Sequence, residues 1–394
     1  MSSMEESKSG AARANRLGLD ALRAGDAVAA AKHLEQACRA DPAATELWIN
    51  LATARRALQD DPAESAALEQ ALAVDQRSLP ALVRLAQLHE RLGELAPAAR
   101  RWSGVLALST QIEDPSPEFI HLLVHARSFV ERQRQGLGDK LDQALANDLA
   151  AASPRDRRRV RAAADVMLGR RSIYTNDCHG LHYPFLPADE FFDRDHFPWL
   201  DQLEAGTDAI RGELEAILAN PDPGLAPYVD QLPGLPENKW TPLDHSLDWS
   251  ALHLWRDGER VEAACARAPL TAALVETLPL CRIPGRAPAV FFSILKALKS
   301  IPPHTGVTNV RSIVHLPLIV PQGCTFRVGG ETRPWVEGDA FVFDDTIEHE
   351  AVNPTSRDRA VLILDCWNPH LSEAEQAMIR RVYEVSSSPP LRAD

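Results

Sequence analysis

The sequence between residue 11 and about residue 112 repeats itself with a period near 34 residues. Small residues near offsets 8 and 20 of a unit would let two antiparallel helices approach closely. The recurring residues are Gly18, Gly25, Ala30, Leu34, Ala37 and Pro42 in the first unit, Trp48, Leu51, Ala52, Leu68 and Ala71 in the second, and Leu82, Leu85, Ala86, Gly93, Ala98 and Trp102 in the third. This period predicts stacked helix pairs, because one pair alone cannot bury its apolar face.

The pattern resembles the tetratricopeptide repeat. The second unit departs from it, because Gln59 and Glu64 stand where small residues are usual and Gln76 replaces a proline. Three units and a following helix are about the minimum for a stable solenoid. We therefore predict a helical repeat domain over residues 11–170, with a helical bundle that lacks a binding groove as the alternative.

Composition and charge exclude several classes of protein. The net charge of −13 argues against general nucleic-acid binding, for which a basic face supplies most of the affinity. No apolar run is long enough for a membrane anchor, and the polar start has no secretory signal. The six cysteines form no C-x-x-C pair and are predicted to be free thiols. The simplest expectation is a cytoplasmic protein.

The composition changes near residue 171, where aromatic residues and prolines become frequent. A helix is predicted at about 200–219, and residues 220–248 are predicted to form a long loop over the core. Beyond residue 285, short apolar runs alternate with turns, and Gly329-Gly330 and Glu337-Gly338-Asp339 are predicted hairpins. The predicted strands are Ala289–Ile294, Ser312–Val320, Thr325–Val328, Ala340–Phe343 and Ala360–Cys366.

Strands with this spacing and no intervening helices favour an antiparallel sandwich or a jelly roll. The fold class predicted for the whole chain is therefore multidomain α + β. An α-helical, tetratricopeptide-like solenoid is followed by a double-stranded β-helix (a cupin-like jelly roll) over residues 171–385.

The β-rich part contains two histidines 45 positions apart, His304 and His349, each at the edge of a β-like stretch. Arg359 follows ten residues after the second histidine, inside an apolar strand. Imidazole is a suitable ligand for Fe(II), and a buried guanidinium binds a carboxylate in two-point geometry. The usual facial triad has a carboxylate two residues after the first histidine, and here that position is Gly306.

Several of these segments resemble the aspartyl/asparaginyl β-hydroxylase family. The resemblance covers about residues 171–385 and is dense over 291–369. The segments that carry it are Ser293-Ile-Leu, Pro-His304-Thr-Gly-Val-Thr-Asn, Arg311, His315-Leu-Pro-Leu, Gly-Asp-Ala-Phe-Val-Phe-Asp-Asp-Thr-Ile-Glu-His349-Glu, Arg359 and Asp365-Cys-Trp367-Asn-Pro.

The resemblance implies a role for each residue. His304 and His349 match two iron ligands in a family that lets water replace the third. Arg359 and Ser293 match the groups that hold the distal carboxylate of 2-oxoglutarate. His315 matches a contact to the inner carboxylate. Arg311 is a candidate for gripping an acidic substrate side chain or that inner carboxylate, and Ile313 replaces an arginine that other members often have.

We expect Asp344 and Asp345 to cap the turn before His349 or to hydrogen-bond a ligand histidine, although a third ligand from this acidic turn stays open. Trp255 is expected either to line the pocket or to pack in the core. The implied cofactors are Fe(II), 2-oxoglutarate as cosubstrate and O2.

The implied activity is a dioxygenase that hydroxylates Asp, Asn or similar side chains of a protein or peptide and releases succinate and CO2. The helical repeats would recruit that substrate. The alternatives are hydroxylation of a lipid acyl chain or a small molecule, and a non-catalytic adaptor.

Overall fold

The computed structural model describes residues 2–234 and 236–386. The chain forms two compact units that divide between Val160 and Arg161. The helices of its N-terminal part are α1 (Ser2–Arg23), α2 (Ala27–Ala40), α3 (Thr45–Ala57), α4 (Asp61–Val74), α5 (Leu79–Arg91), α6 (Leu95–Ser109), α7 (Pro117–Ala151) and α8 (Pro154–Met167).

Helices α1 to α6 form the three predicted helix pairs. A Cβ added to Gly18 would lie 2.5 Å from Leu34 Cγ, so the absence of a side chain there permits the close approach of α1 and α2. The turns inside the pairs also follow the period. Gly25, Gln59 and Gly93 all have positive φ, at 80°, 58° and 72°. Gln59 thus occupies a left-handed conformation that favours glycine.

The second unit contains helices and two β-sheets, and its elements fall at the following residues. The helices are α9 (Leu200–Ala205), α10 (Thr207–Leu218), α11 (Glu262–Cys265), α12 (Pro269–Glu276) and α13 (Glu373–Ser386). The strands are β1 (Ala226–Pro227), β2 (Trp249–Arg256), β3 (Glu259–Arg260), β4 (Val290–Leu295), β5 (Lys299–His304), β6 (Arg311–Ile319), β7 (Thr325–Val328), β8 (Glu331–Pro334), β9 (Phe341–Phe343), β10 (His349–Asn353) and β11 (Arg359–Trp367).

The larger sheet has the order β1-β2-β4-β11-β6-β9, with β3 paired to β2, and the smaller sheet has the order β5-β10-β7-β8. The pairings are antiparallel, as the sequence predicts. One predicted hairpin is confirmed, since Val328 pairs with Glu331 across Gly329-Gly330. The other is wrong, because Glu337-Gly338-Asp339 joins β8 to β9 in the opposite sheet.

The alternation of side chains along β11 divides the interior into two layers. Ala360, Leu362 and Leu364 pack with α9, α10 and α12 on one face of the larger sheet. Val361 and Ile363 pack on the other face, with Phe326 and Ala351 of the smaller sheet. Charged Arg359 and Asp365 lie in the same alternation as Val361 and Ile363. The sequence thereby directs two ionisable side chains into the space between the sheets.

Two further expectations can be compared with the structure. All six cysteines are free thiols, as predicted. Among the helices of the described residues, none is long and apolar enough to cross a membrane.

Candidate active site

A cavity of about 260 Å³ lies between the two sheets. Its lining includes all six residues that the sequence singles out as site residues: Ser293, His304, Arg311, His315, His349 and Arg359. Strands from both sheets supply them. The structure therefore brings together side chains that are up to 66 positions apart in the chain.

His304 ends β5 and His349 begins β10, and the two are direct partners in the smaller sheet. Their ring centroids are 4.0 Å apart. The pairing of β5 with β10 is irregular immediately after His349. The two imidazoles therefore face the cavity side by side.

Both imidazoles are oriented by the same local contact. His304 Nδ1 lies 2.8 Å from the Pro302 carbonyl oxygen, and His349 Nδ1 lies 3.0 Å from the Ile347 carbonyl oxygen. A carbonyl only accepts, so each Nδ1 carries the proton and each neutral Nε2 keeps its lone pair. Burial lowers the pKa of His304 to about 4 and holds the pKa of His349 well below its ordinary value.

The sequence predicts either of two roles for the acidic turn before His349, and the structure shows one of them. The Asp344 carboxylate accepts the Thr346 N–H at 3.0 Å and the Thr346 hydroxyl at 2.6 Å, so it caps the turn as predicted. The expectation that an aspartate carboxylate orients a ligand histidine is wrong, because backbone carbonyls accept both Nδ1 protons.

Asp345 packs its carboxylate against the backbone of Gly306. A Cβ added at Gly306 would overlap Asp345 Oδ2, while Asp345 Oδ1 is buried without a hydrogen-bond partner. Burial raises the pKa of Asp345 to about 7, and Arg311 opposes this rise. The space that a side chain at position 306 would need is therefore occupied by a carboxyl group from another part of the chain.

Arg359 is 1% exposed, and no carboxylate of residues 2–234 and 236–386 pairs with it. Its Nη1 lies 3.4 Å from Ser293 Oγ, its Nε has no hydrogen-bond partner, and its guanidinium stacks 4.5 Å from the Trp335 ring centroid. Burial lowers the pKa of Arg359 to about 10, and within the described residues no carboxylate offsets that effect. An unpaired buried cation is costly, so this corner of the cavity is preorganised for an anion.

Ser293 and His315 supply further donors to the cavity. Ser293 Oγ accepts hydrogen bonds from Arg359 and, at 3.1 Å, from Trp249 Nε1, which leaves its own O–H to donate. Trp335 Nε1 donates to His315 Nδ1 at 3.4 Å, so the proton of this neutral imidazole is on Nε2. Burial, followed by Arg359, keeps the pKa of His315 well below its ordinary value.

Arg311 lies at the start of β6 and forms an ion pair with Asp365 of β11, with Nη1 2.9 Å from Oδ2. The carboxylate of Asp365 raises the pKa of Arg311, and this effect is larger than the opposing effect of burial. Ile313 and His315 follow Arg311 on the same face of the strand and also line the cavity. Arg311 is thus already partnered, in contrast to Arg359.

An aromatic wall was not predicted. Tyr228 stacks on Trp249 with ring centroids 3.9 Å apart, and Trp240 meets His304 edge to face at 5.1 Å. All three rings line the cavity, whereas Trp255 packs in the core on the other face of the sheet. Tyr228 and Trp240 belong to the predicted loop at 220–248. Large aromatic residues in such a proline-rich loop are the signal that could have indicated a lid.

No group of three or more His, Cys, Asp or Glu side chains within the described residues converges to hold a metal. In that part of the chain, the neighbouring imidazoles of His304 and His349 are the pair in this cavity that could hold a metal ion. Two neutral imidazoles with exposed lone pairs suit Fe(II).

Comparison with known proteins identifies relatives of the β-rich part. Residues 204–369 match the family model described as Aspartyl/Asparaginyl beta-hydroxylase, which identifies the β-rich part as a hydroxylase-type domain. The human protein named Aspartyl/asparaginyl beta-hydroxylase is 36% identical over 186 residues, which are 45% of this chain and 24% of that protein. Residues 204–369 are therefore similar to the aspartyl/asparaginyl β-hydroxylase family.

A second relative has a name different from that of the human protein. Ornithine lipid ester-linked acyl 2-hydroxylase of Rhizobium tropici is 34% identical over 199 residues, which are 49% of this chain and 66% of that protein. The chain thus spans about a quarter of the human relative and about two thirds of the bacterial one.

The helical part is similar to the Arabidopsis OM64 TPR domain, with a TM-score of 0.28, 16% identity, and coverage of 32% of this chain and 98% of that one. At that TM-score the likeness adds nothing to what the helix pairs already show.

Proposed function

We propose that this protein is an Fe(II)- and 2-oxoglutarate-dependent hydroxylase that acts on side chains of a protein or peptide. The observation that carries the proposal is the buried, anion-free guanidinium of Arg359 in the same cavity as two neutral histidines. The guanidinium is suited to bind an anion, and the two imidazoles are suited to bind a metal ion.

The anion site fits a carboxylate. The Arg359 Nε–H and the remaining Nη protons only donate, and Ser293, whose oxygen already accepts from Arg359 and Trp249, has its O–H left to donate. A guanidinium matches a carboxylate in two-point geometry. These groups would hold the distal carboxylate of 2-oxoglutarate, and the Nε2–H of His315 would donate to a second anionic oxygen closer to the histidine pair.

His304 and His349 would hold the ferrous ion through Nε2. With its cosubstrate bound, the metal supplies the activation of O2 for hydroxylation of an unactivated carbon, with release of succinate and CO2. The protein fixes both imidazole tautomers before the metal arrives, because each Nδ1–H is bound to a backbone carbonyl. With Asp345 against Gly306, the remaining positions around the ion are left to water and small molecules.

The remaining lining residues would exclude water from the reacting centre. Tyr228, Trp240 and Trp249 form a continuous aromatic wall beside His304. A dry cavity strengthens the electrostatic contacts made at Arg359 and prevents side reactions.

We further propose that strands β4 to β11 form a double-stranded β-helix. In support, β4-β11-β6-β9 lie in one sheet and β5-β10-β7-β8 in the other, so that most successive strands change sheet. The histidine pair belongs to the smaller sheet and Arg359 to the larger one. This arrangement would place a metal in the mouth between the sheets.

A protein or peptide substrate is favoured by the family name and by the helical repeats, whose stacked pairs provide an extended binding surface. Hydroxylation of a lipid acyl chain is the second candidate. The observation that favours it is the similarity to the Rhizobium tropici acyl 2-hydroxylase, together with the aromatic wall of the cavity.

The decisive test is anaerobic titration of the full chain with Fe(II) and 2-oxoglutarate, followed by exposure to O2 with a peptide library containing Asp and Asn. We expect 2-oxoglutarate to bind only with the metal, and a peptide mass gain of one oxygen with stoichiometric succinate. Succinate release stimulated by ornithine lipid and by no peptide would favour the second candidate. If either Fe(II) or 2-oxoglutarate fails to bind, both candidate functions are refuted.

A further inference from the structure

The end of the cavity distant from Arg359 has its own polar groups. Arg359 and Asp365 are six residues apart on β11, roughly 20 Å of extended chain at about 3.3 Å per residue. Asp365 pairs directly with Ile313 of β6, and Arg311 lies two residues before Ile313 on the same face. Arg311, Ile313 and Asp365 all line the cavity. They form one end wall, which is separate from the anion site.

The ion pair in this wall leaves both a donor and an acceptor unused. Arg311 Nη1 and the Ala289 N–H both donate to Asp365 Oδ2 at 2.9 Å. No described group donates to Asp365 Oδ1, and Arg311 Nε is buried without a partner. A guanidinium has five N–H donors, and Arg311 uses one of them on Asp365. The wall thus offers N–H donors beside a carboxylate oxygen.

A primary amide matches such a wall better than a carboxylate does. An amide carbonyl accepts from a guanidinium while its NH2 donates to a carboxylate oxygen. A carboxylate has two acceptors and no donor, so its second oxygen would face Asp365 and be repelled.

The charges around the end wall also favour an amide over a carboxylate. Among the described lining residues the cationic side chains are Arg311 and Arg359, and the first is neutralised by Asp365. The position between Arg311 and His315 is the apolar Ile313, and Asp345 adds a second carboxyl group to the lining. An incoming carboxylate would find no free cation here.

We propose that this end of the cavity is a substrate subsite that selects an amide side chain, as in Asn or Gln, over a carboxylate. This inference rests on the proposed function, since it names which side chain the hydroxylase accepts. Ile313 and Asp365 are then the residues that determine specificity, and Arg311 is the group that binds the amide oxygen.

The test uses the full chain with Fe(II) and 2-oxoglutarate and two capped peptide pools. The pools have the same random flanks and differ only in a central Asn or Asp. Retention of each pool is measured anaerobically by mass spectrometry, and oxygen incorporation is measured after O2 is admitted. We expect the Asn pool to be retained at least about tenfold better at pH 7.5, where one factor of ten corresponds to about 1.4 kcal/mol.

Two substitutions should move this ratio toward Asp by different routes. Ile313→Arg adds a cation to the wall, and Asp365→Asn removes the opposing carboxylate. Leu270→Arg, which adds a cation on the exposed surface of α12 outside the cavity, is the matched control and should leave the ratio unchanged. Binding of 2-oxoglutarate at Arg359, at the other end of the cavity, reports that each variant is folded.

Equal or better retention of the Asp pool by the wild type overturns the proposal, and so does retention of neither pool. A ratio that neither Ile313→Arg nor Asp365→Asn changes overturns the assignment of these two residues. An Asn preference without iron-dependent oxygen incorporation would leave the subsite standing and refute the hydroxylase function instead.

Discussion

His304 and His349 are cross-strand neighbours whose ring centroids lie 4.0 Å apart, and each donates Nδ1–H to the carbonyl two residues before it. The turn Asp344–Ile347 and the segment 302–306 therefore orient the two imidazoles in the same manner. Metal affinity in this protein should depend on that pair and not on a surrounding carboxylate.

The first prediction concerns this pair. His349→Ala should lower Fe(II) affinity by more than about 100-fold, because loss of an outer hydrogen-bond partner alone costs 10–100-fold in other metal sites. Anaerobic titration followed by metal analysis measures the effect. His121→Ala, on the exposed surface of α7, is the control and should bind iron as the wild type does. Normal iron binding by His349→Ala would contradict the assignment.

The second prediction separates function from stability at Arg359. Arg359→Met removes a buried cation that has no anionic partner in the described part of the chain, so the cofactor-free protein should be as stable as the wild type or more stable by about 1–3 kcal/mol. The same variant should lose 2-oxoglutarate affinity by at least about 30-fold, since truncating one member of a buried charge pair costs about 2–5 kcal/mol.

Denaturant unfolding and calorimetry measure these two effects. The matched control is Arg333→Met, because Arg333 already pairs with Glu331 and stacks on Phe191. It should bind 2-oxoglutarate normally. Arg359 would have a purely structural role if Arg359→Met unfolded the protein or kept wild-type affinity for 2-oxoglutarate.

The third prediction is a pH dependence at His253, a half-buried residue of β2 stacked on Phe291. Burial, with a smaller effect of Arg256, lowers the pKa of His253 to about 4 from the ordinary 6.5. Between those values the unfolded chain binds a proton that the folded chain does not, so this contribution to stability is lost as pH falls. With a discount for exposure, the loss between pH 7.5 and 5 is about 1 kcal/mol.

Urea unfolding of the metal-free protein at the two pH values measures this loss. His253→Phe and His253→Gln pack differently, yet both should show a smaller decline in stability than the wild type. A decline equal to that of the wild type in both variants would show that His253 titrates alike in the folded and unfolded chains.

The sequence predicted those parts of the fold that have local periodicity. The 34-residue period identified the helix pairs, and apolar runs identified β4, β6, β7, β9 and β11. Strand β5 was not predicted because its Pro302 and Pro303 weaken a strand signal, and it is an edge strand, where proline is tolerated. Strand β10 was not predicted because its buried positions are His349, Ala351 and Asn353, which form no apolar pattern.

The candidate site, like the fold, was predicted from the sequence only in part. Motif spacing placed all six chosen side chains in one cavity, but it gave no information on which of them already have partners. That Arg311 is neutralised by Asp365 while Arg359 has no anion depends on register between β6 and β11, which is a long-range property. The aromatic wall likewise depends on how the loop at 220–248 folds back.

The final prediction explains why Gly306 stands where a triad carboxylate is usual. A Cβ at this position would overlap Asp345 Oδ2, and the Gly306 N–H donates to the Asp345 carbonyl oxygen at 2.6 Å. The backbone and the carboxylate therefore cannot separate easily. Gly306→Ala should cost about 1–3 kcal/mol of stability through overpacking, and Gly306→Asp should not create a third iron ligand.

Asp345→Ala removes the overlapping carboxylate, so it should rescue Gly306→Ala, and the two substitutions should be strongly non-additive in a double-mutant cycle. Denaturant unfolding of the metal-free protein measures the coupling energy. Additive effects, or tighter iron binding by Gly306→Asp with Asp345 intact, would mean that Asp345 does not fill this space. If the coupling is found, the packing of Asp345 requires glycine at position 306, and the proposed iron site has no room there for a third, carboxylate ligand.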